Sequence, residues 1–233
     1  MLVNKNPKIR IEEGNFELTM GGHIIERTKS YKYLGLLVDE NFSWSEHIID
    51  LCTKLSQVAG VIFKIRSLLN KQAMMLIYHG LVGSKLRYGL ICWATADKFL
   101  LNKVNVAHNT IITYLTFAKR CSRLWPLYCQ IKVLPLDILI DIEYGKTMYK
   151  FLKGILPSVF DTYFAKPSHP YRTRFSSQNN LAVLRIESAL DKSRLRYIGP
   201  KIWLNIQPNI REASSLKVFI NSYRNHLIGH YEP

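Results

Sequence analysis

The stretch Tyr31-Lys-Tyr-Leu-Gly-Leu-Leu-Val-Asp-Glu-Asn-Phe-Ser-Trp-Ser-Glu-His-Ile48 changes its periodicity midway. Its first half is rich in aromatic and branched aliphatic residues, the composition of a strand, with Gly35 at a place where another backbone can come close. Asp39, Glu40 and Asn41 break it. Ser43, with Glu46 three residues later, reads as a capping box, whose two side chains satisfy free amides at the start of a helix. Beyond it Ile48, Leu51, Cys52, Leu55, Val58, Ala59, Ile62, Ile65 and Leu69 recur at three- and four-residue spacing. That is the apolar stripe of an amphipathic helix over 43–69. The stretch is therefore a junction between a β element and a long helix. Lys54, Lys64 and Arg66 fall off the stripe, either as a cationic face for a phosphate backbone or as ordinary solvated charge.

Upstream, alternation over residues 8–12 and 16–20 with a turn signal at Glu13-Gly14-Asn15 predicts short strands, followed by Gly21-Gly22 and the strand His23–Arg27. With Tyr31–Val38 as the last strand, an antiparallel β-meander results. It is too small to bury much by itself. Downstream, the periodicity predicts helices over 71–87, 98–120 and from about 135 to 154, and a last helix from Ser214 or Ser215 through Leu227. Residues 161–180 carry Pro167, Pro170, Ser176-Ser177 and Asn179-Asn180, the turn formers of a linker, and Leu181–Ile186 reads as a short strand. The fold class is α+β, mainly α: an N-terminal meander (1–40), a helical bundle (41–160), a loop (161–180) and a small C-terminal α/β segment (181–233).

The chain has 233 residues, 48% of them hydrophobic and 21% charged, a globular balance. No run approaches the ~18 apolar residues of a membrane span, and the start has no apolar core of signal length, so an intracellular chain, nuclear or cytoplasmic, is expected. Cys52, Cys92, Cys121 and Cys129 form no CxxC pair and read as reduced structural thiols. Net charge is +15, and all of the excess lies after residue 40. A polyanion is the natural partner for such a surface. The rival reading is a basic helical protein-interaction module in which charge serves solubility.

Further motifs sharpen the first reading. Ser84-Lys-Leu-Arg-Tyr-Gly-Leu-Ile-Cys-Trp93 places Arg87 beside Tyr88, a pair able to hold phosphate and to stack, or simply to pack. Lys119-Arg120-Cys-Ser-Arg123 is a basic cluster at a helix end, which the helix dipole alone would also favour. His169-Pro-Tyr-Arg-Thr-Arg174 interleaves aromatic and basic side chains, Arg172 and Arg174 among them, in a pattern suited to single strands. His108, close to the stripe of its helix, is expected to be packed and hydrogen-bonded, and Asp137 with Asp141 to be surface charge.

Lys32-Tyr-Leu-Gly35 followed by a hydrophobic pair, an acid, Asn-Phe-Ser-Trp and His47-Ile48 resembles the reverse transcriptases of non-LTR retrotransposons, jockey-like or LINE-like. The Leu-Arg-Tyr-Gly segment with its following Trp, the His-Xaa-Tyr-Xaa-Thr-Arg segment, and the tail Trp203-Leu-Asn205, Pro208 and Ile210-Arg211 extend the resemblance over roughly residues 20–228. It implies the last palm strands, a thumb and a downstream region. It further implies that Tyr33, Leu34 and Gly35 hold the primer end and that basic thumb residues grip an RNA/DNA primer-template. A two-metal polymerase needs converging carboxylates, which the family takes from an Asp-Asp turn. No adjacent Asp pair occurs in this sequence. The Mg2+ would thus belong to the catalytic palm, upstream of this chain, and that part of the polymerase is a candidate partner. No cofactor and no polymerase activity are expected of the chain alone. A third reading is a fragment that folds poorly because its sheet lacks partners.

Overall fold

The computed structural model describes residues 18–26, 28–119, 121–164 and 195–230. Arg120, Arg172, Arg174, the alternating stretch at 8–12, the loop motif at 169–174 and the strand expected at 181–186 lie outside them. The chain opens with two antiparallel hairpins: β1 (Leu18–Met20) with β2 (His23–Ile25), and β3 (Ser30–Tyr33) with β4 (Leu36–Asp39). Among the described residues they form two separate two-stranded sheets rather than one meander.

Between β4 and the first helix the chain reverses within five residues around one carboxylate. Asp39, 8% exposed, accepts the amides of Asn41 (3.1 Å) and Ser43 (2.9 Å) on Oδ1. Its Oδ2 accepts the Ser43 hydroxyl (3.1 Å) and the Trp44 amide (2.8 Å). This network holds Phe42 and Trp44 at φ 52° and 61°, the left-handed region that bulky residues avoid. Helix α1 (Ser45–Ile65) starts there with Trp44 at its N-cap and no side-chain cap bond. The capping box expected from Ser43 and Glu46 does not form. Asp39 takes both the hydroxyl and the amide of Ser43, because a carboxylate is the stronger acceptor.

Helix α1 buries Ile48, Leu51, Leu55, Ala59 and Ile62 of the predicted stripe, with Cys52, Val58, Ile65 and, past the helix end, Leu69 half-buried, and His47 in addition. Its partner is α5 (Lys98–Leu115), capped by Asp97 Oδ1 on the Phe99 amide (2.7 Å). The two run in the same direction: Cys52 lines a groove with Lys103, and Arg66 Nη1 reaches the Tyr114 carbonyl (3.4 Å). The helix expected over 71–87 is composite. α2 (Lys71–Ile77), capped by Asn70 on the Ala73 amide (2.8 Å), widens into a π-helical segment (Tyr78–Gly83) and tightens again into α3 (Ser84–Arg87). α4 (Leu90–Trp93) comes next, with Trp93 fully buried.

At the π segment sits His108, fully buried between two tyrosines. Tyr128 O–H donates to Asn109 Oδ1 (2.6 Å), so its oxygen accepts from His108 Nδ1 (3.2 Å). His108 Nε2 must then accept from Tyr78 O–H (2.8 Å). One neutral tautomer satisfies the set, and burial pushes the imidazole pKa down to about 4. The packed, hydrogen-bonded histidine expected from the sequence is what the core contains.

The second half is built on α7 (Leu136–Leu152), reached through α6 (Leu124–Ile131). A short 3-10 turn (Ser158–Asp161) comes after it. Against α7 pack α8 (Leu195–Asn205) and α10 (Leu216–His230), with α9 (Pro208–Arg211) between them. Phe219 stacks on Tyr149 (4.7 Å between centroids) and Trp203 (5.8 Å). Arg211 closes α8 by donating to the Ile206 (2.6 Å) and Leu204 (2.8 Å) carbonyls, which the helix end leaves unpaired. The tail motif from Trp203 to Arg211 is thus a single helix-ending unit.

Two stability predictions result. Asp39→Ala should cost about 3 kcal/mol in urea denaturation, from the loss of charge-assisted bonds and the strained turn they hold; Asp39→Asn should cost less. His108 has a folded pKa below its ordinary value, so its contribution is complete above pH 6.5 and fades as pH falls toward 4. At ~1.4 kcal/mol per unit, it should withdraw about 3 kcal/mol by pH 4. His108→Gln, which takes up no proton, should show a shallower acid slope in the same titration.

Candidate nucleic-acid interface

The register Tyr33↔Leu36 leaves only Leu34 and Gly35 in the β3–β4 turn. Both have positive φ, 45° and 83°, as a type I′ turn requires. The single strand expected over Tyr31–Val38 is therefore a hairpin folded at its Leu-Gly. Leucine suffers a backbone penalty there, ~1–2 kcal/mol, that Asn would not, and so conceals the turn in the sequence.

What holds the turn lies 54 residues away. The Tyr88 hydroxyl donates to the Leu34 carbonyl. Gly35 rests on the Tyr88 ring, so close that a Cβ would lie 3.3 Å from it. Leu36 fills the space over Gly89, where a Cβ would come within 2.7 Å of Leu36 Cδ1. Gly89, at φ 59°, ends α3 and starts α4. Trp93 Nε1 donates to the Tyr88 carbonyl (3.1 Å), fixing the segment from below. The Tyr-Leu-Gly and Leu-Arg-Tyr-Gly motifs, distant in sequence, form one interlocked contact.

Beneath this contact opens a cleft of about 320 Å³ between the hairpin, α1 and α3. Gly35 and Tyr88 form its rim; His47, Asp50 and Lys54 come from α1, and Ser84 and Lys85 from α3. Lys54 Nζ pairs with Asp50 (2.6 Å), so part of its charge is neutralised within the protein. Lys85 has no carboxylate partner among the described residues. His47 is buried and accepts the Leu37 amide at Nδ1 (3.4 Å); burial lowers its pKa, against the pull of Asp50. The Ser84 and Tyr88 hydroxyls already donate to the Gly80 and Leu34 carbonyls, so the Lys85 ammonium is what the cleft offers a phosphate, beside the Asp50 carboxylate that pairs Lys54.

The candidate residues fall into two groups. Tyr33 and Leu34, 63% and 72% exposed, stand at the hairpin tip with Gly35, and Lys54 lines the cleft below. Arg87 is exposed at the end of α3, next to Tyr88. The second group lies at the far end of α1. Lys64 is exposed on its last turn, and Arg66 lies over the rings of Phe63 (4.5 Å), Phe117 (4.9 Å) and Tyr114 (5.7 Å). Lys119 is exposed two residues beyond Phe117. The two groups lie toward opposite ends of α1.

His47, Ser84 and Lys85 line the cleft without having stood out in the sequence as site residues. For Ser84 and Lys85 a signal was present: they precede Tyr88 by four and three residues, one helical turn, and so share its side of α3. Asp141 is the other surprise. Expected at the surface, it is partly buried in α7, and burial with the nearby Asp137 charge raises its carboxyl to about 6.

Fold and cleft together describe a hairpin-to-helix junction on a basic helical bundle, and the sequence comparisons find similar proteins. The chain is 25% identical over 120 residues, half its length, to the RNA-directed DNA polymerase from mobile element jockey of Drosophila funebris. It is 29% identical over 93 residues, 38% of its length, to the Drosophila melanogaster jockey polymerase. It is 25% identical over 173 residues, 73% of its length, to the probable RNA-directed DNA polymerase from transposon X-element of Drosophila melanogaster. The matched regions span 13%, 10% and 16% of those relatives. No family profile and no solved structure matches the chain. The chain is thus similar to part of a non-LTR retrotransposon reverse transcriptase. Among the described residues, no helix is long and apolar enough to cross a membrane.

The interlock is open to test. Tyr88→Phe should cost ~1 kcal/mol, the net worth of one hydrogen bond. Gly35→Val should cost about 2–3 kcal/mol, since a branched side chain meets both the left-handed backbone and the ring. Hydrogen exchange should accelerate across residues 30–39 in both variants, with the α7–α10 half unchanged.

Proposed function

We propose that this chain supplies the primer-end grip and thumb-like region of a retrotransposon RNA-directed DNA polymerase and binds RNA/DNA primer-template there. One observation carries the reading: the Tyr88–Leu34 bond fixes the hairpin tip at the rim of a cleft that holds Lys54 and Lys85. Phosphate neutralised at such a rim positions a duplex end without reading its bases. The similarity to jockey and X-element polymerases supports the same assignment. The catalytic carboxylates and their Mg2+ belong to another part of the polymerase. That part is the partner for exposed apolar side chains of the first hairpin, Met20 and Ile24.

The test is binding of a recessed RNA/DNA hybrid at several salt concentrations. Affinity should fall at least tenfold between about 50 and 200 mM salt, by counterion release. Lys85→Ala should weaken binding several-fold and flatten the salt slope by about one. Lys54→Ala should do less, given its Asp50 pair. Salt-independent binding, or template-directed synthesis by the chain alone with Mg2+, would defeat the proposal.

A further inference from the structure

On the side of α1 away from the cleft, a second groove of about 470 Å³ runs between α1 and α5. Its α1 wall includes Cys52, Ser56, Gly60 and Phe63, at helical spacing, and α5 contributes Lys103 and Thr110. The span from residue 52 to 63 is roughly 16 Å. Among the described residues, no carboxylate lines it. Phe63, in the groove wall, carries Arg66 over its ring (4.5 Å) and packs tilted against Tyr114 (5.0 Å), and Lys103, also in the wall, lies over the ring of Phe99 one helical turn before it on α5 (4.7 Å). Phe63 is 52% and Phe99 68% exposed, which leaves ring surface open to solvent. Arg66 is also held by Phe117, itself at φ 55°, a conformation a bulky residue keeps only when its surroundings impose it.

Gly60 is the telling residue. Glycine in mid-helix weakens the helix, and at this position packing does not require it, since a Cβ would meet nothing within 4 Å. What its missing side chain does is keep the groove open. A channel lined by Phe63, Tyr114 and Lys103, with hydroxyls between and with Arg66 and Phe99 stacked on two of those side chains, has the components of a single-strand site.

We propose that the α1–α5 groove binds a short single strand of RNA or DNA. Bases stack on Phe63 and Phe99, and phosphates pair with Arg66 and Lys103. The length accommodates about four or five stacked nucleotides. This site is separate from the hairpin cleft and does not depend on the primer-end reading.

The experiment is fluorescence anisotropy of the full chain with labelled dT10 and U10, beside the recessed hybrid. Gly60→Leu removes a helix-weakening residue while obstructing the groove. It should melt no lower than wild type and bind the single strands on the order of tenfold more weakly. Phe63→Ala with Phe99→Ala should lose a similar factor, and Phe63→Tyr with Phe99→Tyr should restore it. Lys85→Ala should leave single-strand binding unchanged while weakening the hybrid, which separates the two sites. Unchanged affinity in the Gly60→Leu protein, or single strands bound no better than blunt DNA duplex, would overturn the proposal.

Discussion

A single carboxylate decides how sheet and helix meet. Asp39 gathers three amides and a hydroxyl from the next five residues. The chain thereby leaves β4 and enters α1 through two left-handed bulky residues that no local preference would place there. That reversal lays the hairpin against the first turns of α1, with Leu37 beside His47. It also buries the Trp44 indole, whose N–H reaches Thr95 Oγ1 (3.0 Å). The position of the hairpin tip stems from this corner, and the cleft exists because the tip is held there.

The second constraint is the mutual fit of two small residues with two large ones. Gly35 accepts the Tyr88 ring, and Gly89 accepts Leu36. The contact joins the hairpin to the α3–α4 bend across 54 residues of chain and stiffens an element that, as an isolated two-stranded ribbon, would be marginal. The proposed grip on a nucleic-acid end draws on such stiffness, because a mobile tip would lose binding energy to ordering.

The long amphipathic elements were legible in the sequence. The stripe from Ile48 to Ile62, the periodicity over 98–115 and the last helix all arise from burial of one face, a signal spread over many residues. The buried neutral His108 was legible for the same reason. Features that escaped detection depended on one or two atoms. Leu34 occupies a turn position that Asn or Gly usually advertises, and Asp39 displaced the expected Ser43 cap by being the better acceptor. The π segment at Tyr78–Gly83 leaves no trace in the apolar spacing. The candidate site was legible as charge and aromatics, yet its geometry was not. Pairing of Lys54 with Asp50 and capture of Arg66 by three rings are tertiary facts.

The π segment also sets the phase of α3 behind it. One extra residue in a helical turn rotates every later position by roughly 100° about the axis. The faces of Ser84, Lys85 and Tyr88 are aimed by that offset, since a regular continuation of α2 would direct them elsewhere. A register insertion in a connecting helix is thereby the setting that points a phenol at a turn it must reach, and losing one residue from it would turn Tyr88 away from Leu34 while leaving every helix intact.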